Sequence, residues 1–402
     1  MRRWLTASCG VCIAALVWLV PMAARQAAVP DAAPPLRFVA HTIDTGLRGG
    51  YQTVVTDLNR DARPDIIALA SGLTELVWYE NPAWRRHVIA RDLRGMINVA
   101  ASDLDGDGIP ELALAHGFAT SVARSEGIVS LLEHVGDPRE PWSIRELDRT
   151  PTAHRLRWVH EDGGASLVNA PLIGPDAVEP DYRDRHAIFW YRPPDWRRRT
   201  VTDAEDGVVH GLEVAPWGSP ERDALLTAGF LGVHLHERGP DGWTRTRLTA
   251  GDPSPWPRSG ASEIKVGHLD GEPFLATIEP WHGHRVVVYR ASEADGTWTP
   301  GVVDTTIEDG HTLVVADVDG DGRDEIVVGE RRGRRSVYLY RFTGARPEPW
   351  VRQVVDAGGM AAAGCAVADL DADAGLDLVC IGTATANLKW YAQASANPSP
   401  NP

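Results

Sequence analysis

Histidine recurs at one position of a repeated pattern. His311 lies six residues ahead of Asp317, the first aspartate of an Asp-rich turn. His154 stands six ahead of His160, which takes that aspartate's place, and His210 six ahead of Pro216. In the other repeats the position is Tyr51, Ile97, Ser262 and Ala363, and Glu263 follows Ser262. Three imidazoles with a carboxylate at one height fit a divalent transition metal such as Zn²⁺ or Mn²⁺, with one coordination position left open. A single strand-start histidine is better read as bonded to a backbone carbonyl. Three in one register argue for a shared role, either metal and catalysis or substrate binding without metal.

A second set is acidic. Asp103, Asp105, Asp107 and Glu111, and again Asp317, Asp319, Asp321 and Glu325, place carboxylates at alternate positions of a tight, Gly-containing turn. Hard oxygens at i, i+2 and i+4 converge where the backbone wraps an ion, which suits structural Ca²⁺. Asp57, Asn59, Asp61 and Asp65, and Asp369, Asp371, Asp373 and Asp377, lack the glycine after the third donor and are expected to be weaker calcium turns. Without an ion, the same residues form Asx turns.

The elements that must position these residues are short strands. VVTDLNRDARPDIIALA from Val54, AASDLDGDGIPELALAHG from Ala100, VVADVDGDGRDEIVVGE from Val314 and AVADLDADAGLDLVCIG from Ala366 are each an alternating apolar run, an Asp turn and a second apolar run. That is a β-hairpin. A third strand with aromatics follows (LVWYENP, IFWYRPP, VYLYRF, LKWYAQ), then a fourth, usually opened by Trp. Four strands per unit, repeated, predict an all-β fold, a seven-bladed β-propeller over residues 36–393. The last unit has three strands, and RFVAHTID at 37–44 is expected to supply its fourth and close the ring.

In a propeller, the starts of the inner strands ring one mouth of the channel, and the Asp turns lie on the opposite face. Loops from second to third strands return to the same mouth and bring His116, Glu279, Trp281, His282, His284, Glu330 and Arg331. His154, His210, His311, Glu263, Glu279 and His282 should therefore converge. Trp158, Trp256 and Trp281 are candidates to stack on a sugar, with charged groups bonding its hydroxyls. His116, Trp281 and His284 are the expected substrate contacts. His41, His87, His134, His186, His234 and His236 fall on outer or third strands and are expected at the surface.

The 402 residues carry a formal charge of −15, which argues against a nucleic-acid partner. All but two basic residues are arginine, leaving only Lys265 and Lys389 for Schiff-base chemistry. No G-x-S-x-G elbow, H-E-x-x-H or phosphate-cradling loop is present. Arg2 and Arg3, an apolar run near 11–20 and an Ala-rich exit read as a secretory signal peptide over 1–28, with a spacer at 29–35 and a disordered tail at 394–402. That predicts a secreted or periplasmic protein without a stable membrane span; a retained N-terminal anchor is the alternative. Cys9 and Cys12 leave with the leader, and Cys365 and Cys380 form either a disulfide or two buried thiols.

The Asp-turn hairpins resemble FG-GAP or VCBS repeats. VVHGLEV, GASEIKVGHLDGEPFLATIEPWHGHRVVVYR and EDGHTLVVADVDGDGRDEIVVGERRG are further similar to the propeller domain of aldos-2-ulose dehydratases, in blade order over roughly 51–391. That family eliminates water from keto-sugars such as 1,5-anhydrofructose, with a metal in the propeller; its fungal members add cupin-like domains that this chain does not show. The resemblance implies β-elimination beside a sugar carbonyl. It implies a metal on His154, His210 and His311, with Glu263 as fourth ligand or behind a histidine. His282 is then the first candidate base, Glu279 the second, and Arg331 binds the leaving hydroxyl or a substrate oxygen. Two rival readings are a non-catalytic calcium-stabilised propeller that binds glycan or protein, and a uronate polysaccharide lyase.

Overall fold

The computed structural model describes residues 35–161, 164–218, 223–292, 294–344 and 349–394. The segment read as a signal peptide lies outside them, as does all but the first residue of the tail. The described chain forms seven four-stranded antiparallel sheets, each a blade. Their inner strands are Gly50–Thr56, Asn98–Ser102, Ala153–Glu161, Val209–Pro216, Glu263–Leu269, Gly310–Ala316 and Ala362–Ala368, for blades 1 to 7 in chain order. In blade 7 the outermost strand is Arg37–Asp44, paired antiparallel with Leu388–Ala394 so that Ala40 faces Tyr391. That last strand runs one residue past the expected end at 393.

Burial explains the strand types. Second strands such as Asp65–Ala70 (DIIALA) and Glu325–Glu330 (EIVVGE) are buried at every position, because both faces of a blade meet a neighbour. Fourth strands such as Gly242–Thr249 alternate between exposed and partly buried, as an edge facing water on one side should. Each of the seven blade junctions has its own apolar core. Examples are Trp78 with Leu112 between blades 1 and 2, Val168 with Leu212 between 3 and 4, and Ile66 with Ile381 between 7 and 1. Fully burying one such side chain is worth roughly 1.5–3 kcal/mol.

A polar tie repeats on top of this packing. The third-strand hydroxyls of Tyr79, Tyr191, Tyr340 and Tyr391 donate to Asp44, Asp148, Asp304 and Asp356, each at the end of the preceding blade's fourth strand. Cys365 and Cys380 face each other across the first two strands of blade 7 and form a disulfide, with 4.1 Å between Cα atoms.

Three histidines expected at the surface are buried: His186, His234 and His236. They lie on third strands, which are sandwiched between blades. Burial pushes the His234 and His236 pKa values down to about 3. Trp158 is also blade packing, with its indole N–H donating to Ala100 O at 3.1 Å.

Candidate metal centre at the channel mouth

The shared register has a structural cause. In blades 1, 3, 4, 6 and 7 the strand pairing slips at Tyr51, His154, His210, His311 and Ala363, so each occupies a β-bulge at the start of the inner strand. A bulge re-aims the side chain it carries. Here four of the five gather with His282 as a ring of five rings. Centroids are 5.1 Å apart for His154–His210 and His210–His311, 4.8 Å for His210–His282, 5.2 Å for His282–His311 and 5.0 Å for His311–Tyr51. His282 arrives on the loop after the second strand of blade 5, with its backbone in the left-handed region at φ 49°.

Hydrogen bonds set the imidazole faces. His311 Nδ1 lies 2.6 Å from Ala363 O. His210 Nδ1 lies 3.2 Å from Ser262 O and 2.8 Å from the Glu263 carboxylate. Carbonyls and carboxylates only accept, so both Nδ1 atoms carry the proton and both Nε2 atoms present lone pairs. That outer-shell pattern is typical of metal-ligating histidine. His311 Nε2 is buried without a partner. His210 Nε2 sits 3.2 Å from His282 Nε2, and Arg331 Nη2 donates to His282 Nδ1 at 3.1 Å. To ligate through Nε2, His282 would shift its proton to Nδ1, which first requires the Arg331 donor to leave that nitrogen; Asp309 Oδ1 stands 3.8 Å from it. Burial, first among the causes, lowers all four imidazole pKa values, keeping the rings neutral as ligands must be.

The donor set differs from the expected one by an exchange. His210, His282 and His311 are the histidines whose ring nitrogens lie within 4.8 Å of one another. His154, expected as a ligand, stands outside that set with Nε2 3.0 Å from the Tyr51 hydroxyl. His282, expected as the base, stands inside it. Glu263 is the carboxylate behind His210, also paired with Arg155 at 2.8 Å, and this ion pair holds its pKa low against the cost of burial. Arg331 bridges His282 and Asp309.

Glu279 is not brought to the cluster. Its buried carboxylate accepts from Tyr289 at 2.6 Å, Thr277 at 2.9 Å and Arg285 at 3.2 Å. His116 turns to Ser130 within blade 2, and His284 is exposed. Glu330 bonds Glu308 N and Arg334. Trp281 packs on His282 at 4.7 Å and joins Tyr182, Phe230 and Trp256 in an apolar roof over the mouth. On the channel side a cavity of about 320 Å³ is lined by Tyr51, Arg155, Arg157, Glu263 and Lys265 among others, and of the three clustered histidines it reaches His311. Composition and spacing missed Arg155 and Asp309. Tyr51 was visible as the blade-1 occupant of the histidine register.

At the other end of the inner strands, the four Asp turns share one construction. The last carboxylate of each, Asp65, Glu111, Glu325 or Asp377, accepts the N–H of the residue after the first aspartate, at 2.7–3.0 Å. Burial pushes these groups up, to about 7 for Asp65, about 8 for Glu325 and about 6 for Asp377. Oxygens converge in three turns: Asp103, Asp105 and Glu111; Asp317, Asp319 and Glu325; Asp369, Asp371 and Asp377. The third carboxylates, Asp107, Asp321 and Asp373, instead cap backbone N–H groups two residues on. Asp107 further pairs with Arg60 and His134. Missing glycine does not change the turn. Arg60, Ala62, Ala372 and Ala374 adopt φ of 62°, 64°, 62° and 71°, matching Gly106, Gly108, Gly320 and Gly322 at 80°, 86°, 73° and 86°.

Ring, hairpin turns and mouth together define the class: a seven-bladed β-propeller carrying FG-GAP-like repeats, matched by that family at residues 37–114 and 317–380. Between those stretches, residues 126–292 match the aldos-2-ulose dehydratase β-propeller domain. Aldos-2-ulose dehydratase of Phanerodontia chrysosporium is 26% identical over 260 residues, covering 56% of this chain and 28% of that protein. The chain thus spans little more than a quarter of that relative's length. Solved structures share the fold at low identity. They include virginiamycin B lyase from Staphylococcus aureus (TM-score 0.57, 12% identity, 90% of this chain and 100% of that one). A chain of the mitotic checkpoint complex is comparable (0.57, 13%, 94% and 99%), as is the Dos1 propeller (0.53, 10%, 85% and 78%).

Proposed function

We propose that this protein is an exported, metal-dependent carbon–oxygen lyase that removes water from a keto-sugar in the propeller channel. The observation that carries the proposal is the convergence of His210, His282 and His311, with two Nδ1–H groups tied back to the protein and Nε2 facing inward. The similarity to a dehydratase propeller supports the reaction class. Ca²⁺ in the Asp turns is structural in this reading, since hard carboxylate oxygens suit it and the turns lie on the far face.

Bound at the histidines, a divalent cation supplies Lewis-acid polarisation of a sugar ketone, worth several kcal/mol. Glu263 and Ala363 O hold the rings that bind it. Tyr51 and His154 handle the proton. His154 takes the phenolic proton as the Tyr51 oxygen removes the proton beside the ketone. Tyr51 then protonates the departing hydroxyl, and His154 returns its proton. One C–H and one C–O bond break, a C=C bond forms, water leaves, and the pair ends as it began. Burial raises the Tyr51 pKa while Arg155 and Arg331 pull it down, so the phenol starts protonated.

Metal analysis by inductively coupled plasma mass spectrometry, paired with enone absorbance from 1,5-anhydrofructose, tests this. The expected result is about one transition-metal equivalent per chain, lost in His210→Ala and His311→Ala together with turnover. A protein holding only Ca²⁺, with both variants unchanged, would sink the proposal.

A further inference from the structure

The channel cavity beneath the histidines carries an unbalanced charge. Of the cations lining it, Arg155 pairs with Glu263 at 2.8 Å and Lys265 pairs with Glu213. Arg157 has no carboxylate within 4.0 Å among the described residues. Its Nη1 is held by Leu156 O at 2.8 Å and Asn98 Oδ1 at 3.4 Å, which aligns the guanidinium and leaves its other donors for the cavity. Asn98 lines the same cavity, is 1% exposed, and keeps Nδ2 without a partner. Both acids in the cavity are already neutralised, so one positive charge remains, in a place where an unpaired charge is costly.

We infer that Arg157 and Asn98 form a carboxylate subsite, so that the ligand of this channel is an acidic sugar whose carboxylate meets the guanidinium fork. Planar, bidentate donation is what distinguishes guanidinium from a lysine at such a position. A cavity of about 320 Å³ falls within the range of small-ligand sites. Tyr51 and His311 line the same space, so a monosaccharide anchored at Arg157 presents its far end to the proposed reacting groups. The inference rests on reading this channel as the sugar site, and it ranks keto-sugar acids above neutral keto-sugars such as 1,5-anhydrofructose as its ligands.

Calorimetric titration of the full chain with glucuronate, glucose and acetate tests it. Glucuronate should bind at least about tenfold more tightly than glucose, weaken with rising salt, and fall to the level of glucose in Arg157→Gln. Arg157→Lys, which keeps the charge without the fork, should lose part of the preference, and it serves alone if the Gln variant does not fold. Equal affinity for glucuronate and glucose, or an unchanged preference in the Lys variant and in a folded Gln variant, overturns the subsite. Acetate binding that matches glucuronate overturns the sugar part. Metal content separates the two readings: bound transition metal without acid preference defeats only this inference, and acid preference without transition metal defeats only the proposed lyase.

Discussion

Blades 1, 2, 6 and 7 on one side and blades 3 and 5 on the other solve the same turn in different ways. The first group closes each inner hairpin on its own carboxylates. In blades 3 and 5 the turn leans on the next blade: His160 N donates to the Asp223 carboxylate, His268 N donates to the Asp324 carboxylate, and Asp324 N donates to His268 O. The apolar cores at the junctions of blades 3, 4 and 5 are as buried as the rest. Blade formation therefore depends on inter-blade packing, and turn carboxylates add rigidity where they occur. Blades 3 to 5 hold His154, His210, Glu263 and His282, and the dehydratase propeller match falls on them. FG-GAP-like repeats match the other group.

Six measurements test this contrast. The largest effect is expected at the mouth: His210→Ala and His311→Ala should abolish transition-metal binding and turnover while calcium content stays constant. Coupled loss of calcium would erase the distinction between the two ends. Tyr51→Phe should lower kcat by about 10²–10⁴-fold with metal content unchanged, the range of one general acid–base group. A fall confined to KM would show that the hydroxyl only binds substrate.

Calcium removal should act on the other end. Chelation should lower the Tm by ~3–4 °C for each site emptied, from ~2.7 kcal/mol for a site at one hundred times its Kd and little more than ~1 °C per kcal/mol in a fold of this size. The pH dependence has a definite sign. Asp65, Asp377 and Glu325 have pKa values raised to about 7, 6 and 8 in the ion-free fold, so the folded state binds more protons than the unfolded chain. Stability of the chelated protein should fall as pH rises from the ordinary carboxylate range through about 8, and calcium should flatten that slope. Thermal melts with and without chelator between pH 5 and 8 check it.

Tyr340→Phe should cost about 1–3 kcal/mol in urea unfolding, because the buried Asp304 carboxylate loses a donor. The smallest effect is a gain. Ala374→Gly relieves a left-handed alanine at φ 71° and should stabilise the chain by roughly 0.5–1 kcal/mol, an upward shift visible in calorimetry.

The histidine register was legible because an inner-strand start is a fixed point in each repeat, and a residue count reaches it. The bulge that aims those side chains has no signature in residue type: His, Tyr and Ala all occupy it. His154 and His210 look equivalent along the chain, yet only His210 has a carboxylate behind Nδ1 and a second imidazole at Nε2. Glu279 and Glu263 are both acids beside the blade-5 inner hairpin. One faces the axis, while the other is captured by Tyr289 and Arg285.

Blade number, hairpin turns and the mouth-to-turn polarity were determined by the sequence alone, since they rest on strand alternation and donors spaced a few residues apart. Which groups act together was decided only by tertiary structure. Tyr51 meets His154 across 103 residues, Arg155 meets Glu263 across 108, and His210 meets His282 across 72. Ring closure sets those distances by packing every blade against its neighbours. The unpaired guanidinium of Arg157 follows from the same cause: a charge becomes conspicuous only when folding removes it from water and gives the nearby carboxylates to other cations.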